Sequence, residues 1–252
     1  MIKLKSPEDI EKISASGKIL SEVLGKLSEK AKIGVSLKSL NDMAYSLAKE
    51  FGAQPAFLGY RPEGASRPYL ASICASVNNV IVHGFPTDYK LKEGDILKID
   101  FGVKYKNFYS DAAITIGIGE ISEISKNLIK AAKEALDQAI KISVSGNTLG
   151  DIGYIISKTA KKYGVRAVKG LTGHGIGYAL HEEPIIHNFG EKGKGIKLKP
   201  GMVLAIEPMF AVSTDKVVQK TDESWATSDN SLSAHFEHTV AITEDGCRIL
   251  TN

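Results

Sequence analysis

At 252 residues, with 43% hydrophobic and 24% charged residues, the chain reads as an ordinary soluble globular protein with length for one large domain or two small ones. Its formal net charge of +3 is spread along the sequence without a long Lys/Arg run, which favours a solvated surface over a nucleic-acid groove. Cys74 and Cys247 form no CxxC pair, "MIKLKSPEDIEKI" is charged where a signal peptide needs an apolar core, and no stretch reaches membrane-spanning length; a reducing cytoplasm is the expected compartment.

Ser6, Pro7 and Glu8 predict an N-cap with proline at the first helical position, and Ile10, Ile13, Ile19, Leu20, Val23, Leu24 and Leu27 continue a helical spacing. A second helix is predicted over Leu37 to Phe51, stopping at Gly52. After a Pro/Gly-rich loop (55–68), "YLASICASVNNVIV" reads as one or two strands. "DILKIDFGVKYKNFYSDAAITIG" (95–117) reads as two apolar strands around a short polar turn. Helices are expected again over Ser122 to Ile142 and about Thr148 to Tyr163, ending at Gly164, before strand-like "VLAIEPMF" and "AHFEHTVAIT".

That order repeats itself. "LKEGDILKID" (91–100) aligns without gaps on "LKPGMVLAIE" (198–207), with Leu, Lys, Gly, Leu and Ile identical and an acid at each end. Two helix-helix-strand units predict an α+β fold with a central antiparallel sheet flanked by helices, a single domain with halves of roughly 1–120 and 121–252. The carboxylates of the two halves should meet near a pseudo-twofold axis.

The 95–117 hairpin carries Asp100 and Asp111 inside its apolar runs. A two-residue turn at Lys106 and Asn107 pairs Tyr105 with Phe108, Gly102 with Asp111 and Asp100 with Ala113. Both acids then project from one face as diagonal neighbours, with β-carbons roughly 7 Å apart. Buried and unpaired they would repel, so a cation is required. Lys98, Lys104 and Lys106 share the parity of Asp100 and could supply it; a metal is the alternative. Glu207 in "VLAIEPMF", Glu237 in "SAHFEHTVAIT" and His174 in "TGHGIG" complete an oxygen-rich set suited to two divalent ions, roughly 3.5 to 4 Å apart if carboxylates bridge them. Of the other histidines, His235 shares the parity of Glu237 and could stand behind the ligands, but a place at the surface or core edge is expected, and His187 and His238 are expected to be structural.

In this order, "IDFGV", "YSDAA", "TGHGIG", "IEPM" and "FEHT", with "VNNVIVHGFP" upstream and "HEEP" after the histidine motif, resemble the type I methionine aminopeptidases of the pita-bread metallopeptidases, over almost the whole chain. The resemblance implies a fold with internal pseudo-symmetry. It implies two divalent ions (Co, Mn, Fe, Ni or Zn), with Asp100 on one, His174 and Glu207 on the other, and Asp111 and Glu237 bridging. A bridging water or hydroxide would attack the carbonyl of an N-terminal methionine on nascent polypeptides with a small second residue. Glu207 would shuttle the proton, His83 would contact the scissile peptide, and His181 would help stabilise the tetrahedral intermediate.

The same resemblance places Tyr60, Tyr69, Cys74 and Trp225 around the methionine side chain, and a monovalent cation at Asn78, Val80 and Ser233. A monomer is the default expectation, and any ribosome contact would be transient and made by the catalytic domain itself. The chain departs from the family in the longer "GYRPEGASRPYLAS", in Phe57, and in Tyr178 and Leu180, all at the pocket rim. An Xaa-Pro aminopeptidase or dipeptidase of the same fold is the alternative enzyme. A non-catalytic pita-bread protein that binds peptides or nucleic acid is the third reading.

Overall fold

The computed structural model describes residues 2–61, 64 and 66–252. The first half contains helices α1 (Pro7–Lys30) and α2 (Leu37–Glu50), then strands β1 (Gln54–Pro55), β2 (Cys74–Val77), β3 (Val80–Val82), β4 (Ile96–Tyr105) and β5 (Phe108–Gly117). The second half begins with α3 (Glu123–Ile142) and α4 (Leu149–Lys162), then β6 (Arg166–Ala167), β7 (Thr172–Gly175) and β8 (Glu182–His187). It continues with β9 (Val203–Ile206), β10 (Met209–Ala211), β11 (Val217–Gln219), β12 (Trp225–Thr227), β13 (Ser233–His235), β14 (Glu237–Thr243) and β15 (Gly246–Ile249).

Local chemistry sets the helix ends. The Ser6 hydroxyl accepts the Asp9 N–H at 3.1 Å, and Pro7 stands at the first turn, where its missing N–H costs nothing. Thr148 and Asp151 form a reciprocal capping box at the start of α4. Along α1, Ile10, Ile13, Leu20, Val23, Leu24 and Leu27 make one buried stripe. Burial of each large aliphatic side chain contributes about 1.5–3 kcal/mol.

A nine-stranded sheet unites both halves, in the order β1-β4-β5-β14-β9-β7-β8, with β15 added to β14 and β2 to β4. The core of this path, β4-β5-β14-β9, reads as the repeat predicts: the two aligned segments lie in β4 and β9, and their partners β5 and β14 meet in the middle. Ile99, Phe101 and Val103 of β4 pack on α1 and α2, while Leu204, Ile206, Val240 and Ile242 pack in the α3–α4 core. Strand alternation therefore turns Asp100, Asp111 and Glu237 to the other face of the sheet. No helix among the described residues is long and apolar enough to cross a membrane.

The expected hairpin register is observed in full, from Ile96 opposite Gly117 to Tyr105 opposite Phe108. Two predicted single strands are instead broken. "VLAIEPMF" divides into β9 and β10 at Glu207-Pro208, because proline cannot donate to a ladder and disfavours the helical conformation of the residue before it. "AHFEHTVAIT" divides at Phe236, directly across from that break, and the Phe236 N–H donates to the Pro208 carbonyl at 3.3 Å. Beyond the breaks, β10 and β13 form a separate small sheet with β6, so both strands bend as they pass the acids.

Lys106 and Asn107 both have positive φ, 47° and 67°, as the reverse-twisted two-residue turn demands. Asn107→Val, whose branched side chain opposes that conformation, should lower the unfolding free energy by about 1–2 kcal/mol in urea titration. An unchanged midpoint would mean that the turn is not held this way.

Candidate metal centre

The site grows from the middle of the hairpin. Asp100 stands opposite Ala113, and Ala113 stands opposite Glu237 on its other side, so a small residue separates two acids in one row. Asp111 lies two residues from Ala113 on that face, and the carboxyl groups of Asp100 and Asp111 interact directly. Where the β5–β14 ladder stops, the Thr239 hydroxyl continues it, accepting the Asp111 N–H at 2.9 Å and donating to the Asp111 carbonyl at 2.8 Å.

His174 reaches the same place from β7, opposite Ala205. Its glycine neighbours are required by close approach: a Cβ on Gly173 would lie 2.4 Å from the Ala205 carbonyl oxygen, and one on Gly175 2.1 Å from that of Glu183. The His174 Nδ1–H donates to the Gly175 carbonyl at 2.9 Å, since a carbonyl can only accept. That bond leaves the Nε2 lone pair free, 3.7 Å from Glu207 Oε1. Asp111, His174 and Glu237 each place one ligand atom within 4.8 Å of the others.

The lysine alternative is decided by direction. Lys98 Nζ donates to the Asn78 carbonyl, Lys104 lies over the Tyr109 ring and Lys106 over the Tyr105 ring. Among the described residues, no lysine or arginine forms an ion pair with Asp100 or Asp111. Burial pushes all four carboxyl pKa values up; neighbouring carboxylates push Asp111 and Glu237 further, while His174 opposes the rise at Glu207 and His235 opposes it at Asp100. Asp100 Oδ1, Asp111 Oδ1 and Glu237 Oε1 are buried without a hydrogen-bond partner. Unsatisfied carboxylate oxygens converging with a free imidazole nitrogen fit divalent cations, which take such oxygens as ligands.

His235 overturns its expected place at the surface or core edge. It is 1% exposed, with Nε2 3.4 Å from Glu207 and 4.0 Å from Glu237, and neither ring nitrogen has a hydrogen-bond partner. Its shared parity with Glu237 was the available signal. What the pattern lacked was the bend at Phe236, which carries β13 past the acids and brings His235 to Glu207. His238 is structural, its Nδ1 paired with the Thr251 hydroxyl at 2.9 Å, and His187 lies on β8 with its ring against Phe189.

His83 follows β3 in a left-handed conformation (φ 58°) and is exposed. His181 is also exposed; its Nδ1 pairs with the Tyr60 hydroxyl at 2.8 Å, and its ring meets that of His174 edge-on at 4.4 Å. Crowding by protein on their inner sides and neighbouring histidines hold both imidazoles below the usual range, with desolvation the larger cause.

Cys74 stands opposite Asp100 across β2 and β4, and burial pushes its thiol pKa up, which suits contact better than nucleophilic chemistry. Tyr60, Tyr69, Phe57 and Cys74 share one cluster, with the Phe57 ring against Gly102 beside the acids. Trp225 lies in a different cluster and reaches the site through its pairing with Val82, next to His83. At the rim, the Tyr178 hydroxyl donates to Asp9 and Leu180 is buried. In the lengthened 61–70 loop, Pro62, Glu63 and Ala65 lie outside the described residues, while Ser66 donates to Glu223.

A curled antiparallel sheet holding buried acids and a histidine with a free nitrogen defines a pita-bread metallopeptidase. The chain belongs to metallopeptidase family M24, whose description matches residues 11–244. It is 43% identical to the methionine aminopeptidase of Aquifex aeolicus over 257 residues, 99% of this chain and 98% of that one. The crystal structure of methionine aminopeptidase from Rickettsia prowazekii superposes with a TM-score of 0.96 at 37% identity, over the full length of both chains. That from Thermotoga maritima gives 0.95 at 39%, again over both full lengths.

The raised carboxyl pKa values carry a sign. A folded state that holds protons the unfolded chain has released is stabilised at low pH and loses that stability as pH rises through the folded values. The depressed imidazoles act the other way, but only below their ordinary 6.5. The metal-stripped protein should therefore lose melting temperature as pH rises above about 6.5, where the imidazoles no longer oppose the carboxyls, and a divalent cation that binds only the folded state should remove that loss. A metal-free protein whose stability rises across this window would contradict the carboxyl assignment.

Proposed function

We propose that the chain removes the initiator methionine from nascent polypeptides whose second residue is small. The observation that carries this reading is the convergence of Asp111, His174 and Glu237 with Asp100 and Glu207 on one sheet face, in a chain similar over its full length to methionine aminopeptidases. Two divalent ions would be held there, Asp100 serving one, His174 and Glu207 the other, and Asp111 and Glu237 both. Availability rather than the ligand set would choose among Co, Mn, Fe, Ni and Zn. Bound there, such cations supply Lewis acidity and generate a nucleophile from water at neutral pH.

The chain's own groups do the remaining work. Glu207 lies between His174 and His235, where its carboxylate can take a proton from attacking water and pass it to the leaving amine. Neutral imidazoles at His83 and His181 can donate hydrogen bonds to the scissile peptide. If the Tyr60 hydroxyl donates to His181 Nδ1, the proton of His181 resides on Nε2 and can be given to the oxygen that gains charge. Tyr60, Tyr69, Cys74 and Phe57 supply the aromatic and sulfur surface that suits a thioether, and Trp225 closes on the side of His83.

This reading treats the chain as one catalytic domain, because the β5–β14 ladder joins the halves through the site itself. It places the protein in the cytoplasm as a monomer, with no more than transient contact to the ribosome; the unpaired Cys74 and Cys247 agree with a reducing compartment. Offered Met-Gly and Xaa-Pro peptides side by side, the metal-loaded protein should release free methionine, and a chelator should abolish the release. Cleavage only before proline would give the chain the other activity of this fold, and no cleavage of either would favour a binding role. Asp111→Asn should lose metal content and activity together, the activity by more than about 100-fold, since it removes charge shared by both ions. Full activity in that variant would refute the bridging assignment.

A further inference from the structure

Lys98 is among the largest fully buried side chains of the protein and is 1% exposed. It lies on β4 two residues before Asp100 and on the same face. Its Nζ donates to the Asn78 carbonyl at 2.7 Å. That carbonyl is held in place from several directions. Asn78 adopts a left-handed conformation (φ 53°), its Nδ2 donates to Asp95 at 2.9 Å, and its Oδ1 accepts the Ile96 N–H at 2.9 Å. Besides Lys98, the Asn78 carbonyl accepts the Ser233 hydroxyl at 2.9 Å and the Ser233 N–H at 3.1 Å. The Ser233 hydroxyl also lies 3.2 Å from the Val80 carbonyl.

Asn78, Val80 and Ser233 are the three positions at which the resemblance implies a monovalent cation. Their oxygens do converge, but they do not fit an alkali ion here. The Asn78 carbonyl already takes three donors, one of them a side-chain amine, and the Ser233 hydroxyl spends its single proton on the two carbonyls. The Lys98 Nζ already fills the approach to the Asn78 carbonyl that an added ion would use. Asp95 is itself buried and held by Asn78, Tyr89 and the Lys92 N–H, which fixes Asn78 from its side-chain end.

We propose that the Lys98 side-chain nitrogen takes the place of the monovalent cation in this protein, so that the junction of β3, β4 and β13 is independent of alkali ions. Each of these segments leads within a few residues to a site group: Val80 to His83, Lys98 to Asp100, and Ser233 to His235 and Glu237. A covalently attached nitrogen holds the junction at any ionic composition, whereas an alkali ion would hold it only as far as its concentration allowed.

The test compares melting temperatures in sodium, potassium and choline chloride at equal ionic strength, with the divalent metal held constant. The wild-type protein should melt at the same temperature in all three. A saturable stabilisation of the wild type by potassium or sodium over choline would overturn the proposal. Lys98→Ala removes the nitrogen and opens space at the three oxygens; it should melt lower and regain about 2–4 °C or more, saturably, in potassium or sodium but not in choline. A folded Lys98→Ala protein indifferent to the cation would also overturn it. Diffraction from rubidium-soaked crystals gives a readout independent of stability. An anomalous peak among Asn78, Val80 and Ser233 should appear in Lys98→Ala and be missing from the wild type, and a peak in the wild type would defeat the assignment.

Discussion

The constraint on which the rest of the structure depends is the confinement of four carboxylates to one patch of sheet. Asp111 and Glu237 are 3% and 2% exposed, and Asp100 and Glu207 stand close by with oxygens facing inward. Like charges at this depth cannot all remain ionised without a counter-charge. No side-chain cation reaches Asp100 or Asp111 among the described residues, so the fold presents a deficit of positive charge that bound divalent ions can fill. The surrounding elements serve to hold that deficit in a fixed shape.

Small residues create the shape. Ala113 lies between Asp100 and Glu237, Gly102 gives room to Phe57, and Gly173 lets β7 come down against β9 so that His174 faces Glu207. Helices on the opposite face supply the burial that fixes the strands, through alternating residues such as Ile99, Phe101, Leu204 and Ile206. The two halves contribute unequally despite their common pattern: the first gives two aspartates from one hairpin, and the second gives a histidine from β7, a glutamate from β14 and another from the break between β9 and β10. Lys98 belongs to this support and not to the charge balance of the acids, because its amine is turned away to the Asn78 carbonyl.

Much of this was legible in the sequence because its physics is local. The cap at Ser6, the helix starts near Ser122 and Thr148, and a two-residue turn at Lys106 and Asn107 follow from short-range chemistry and spacing alone. The facing acids followed from period-two alternation. What periodicity could not show was where strands leave a sheet. The breaks at Pro208 and Phe236 bring His235 against Glu207, and a strict alternation reading has no means of seeing that bend. The Tyr60–His181 bond and the partner of Lys98 were hidden for a related reason: each joins residues far apart in sequence through side chains whose direction depends on tertiary packing. Tyr60, Tyr69, Cys74 and Trp225 were singled out by motif, and their division into the Cys74 cluster and the Trp225 cluster came only from the fold.

The central claim, that the buried acids exist to hold divalent metal, is open to one direct measurement. Crystals of the metal-loaded protein, measured at the absorption edge of the added ion, should show two anomalous peaks enclosed by Asp100, Asp111, His174, Glu207 and Glu237. A fully loaded protein whose peaks lie elsewhere, with these carboxyls protonated and hydrogen-bonded to one another, would contradict it.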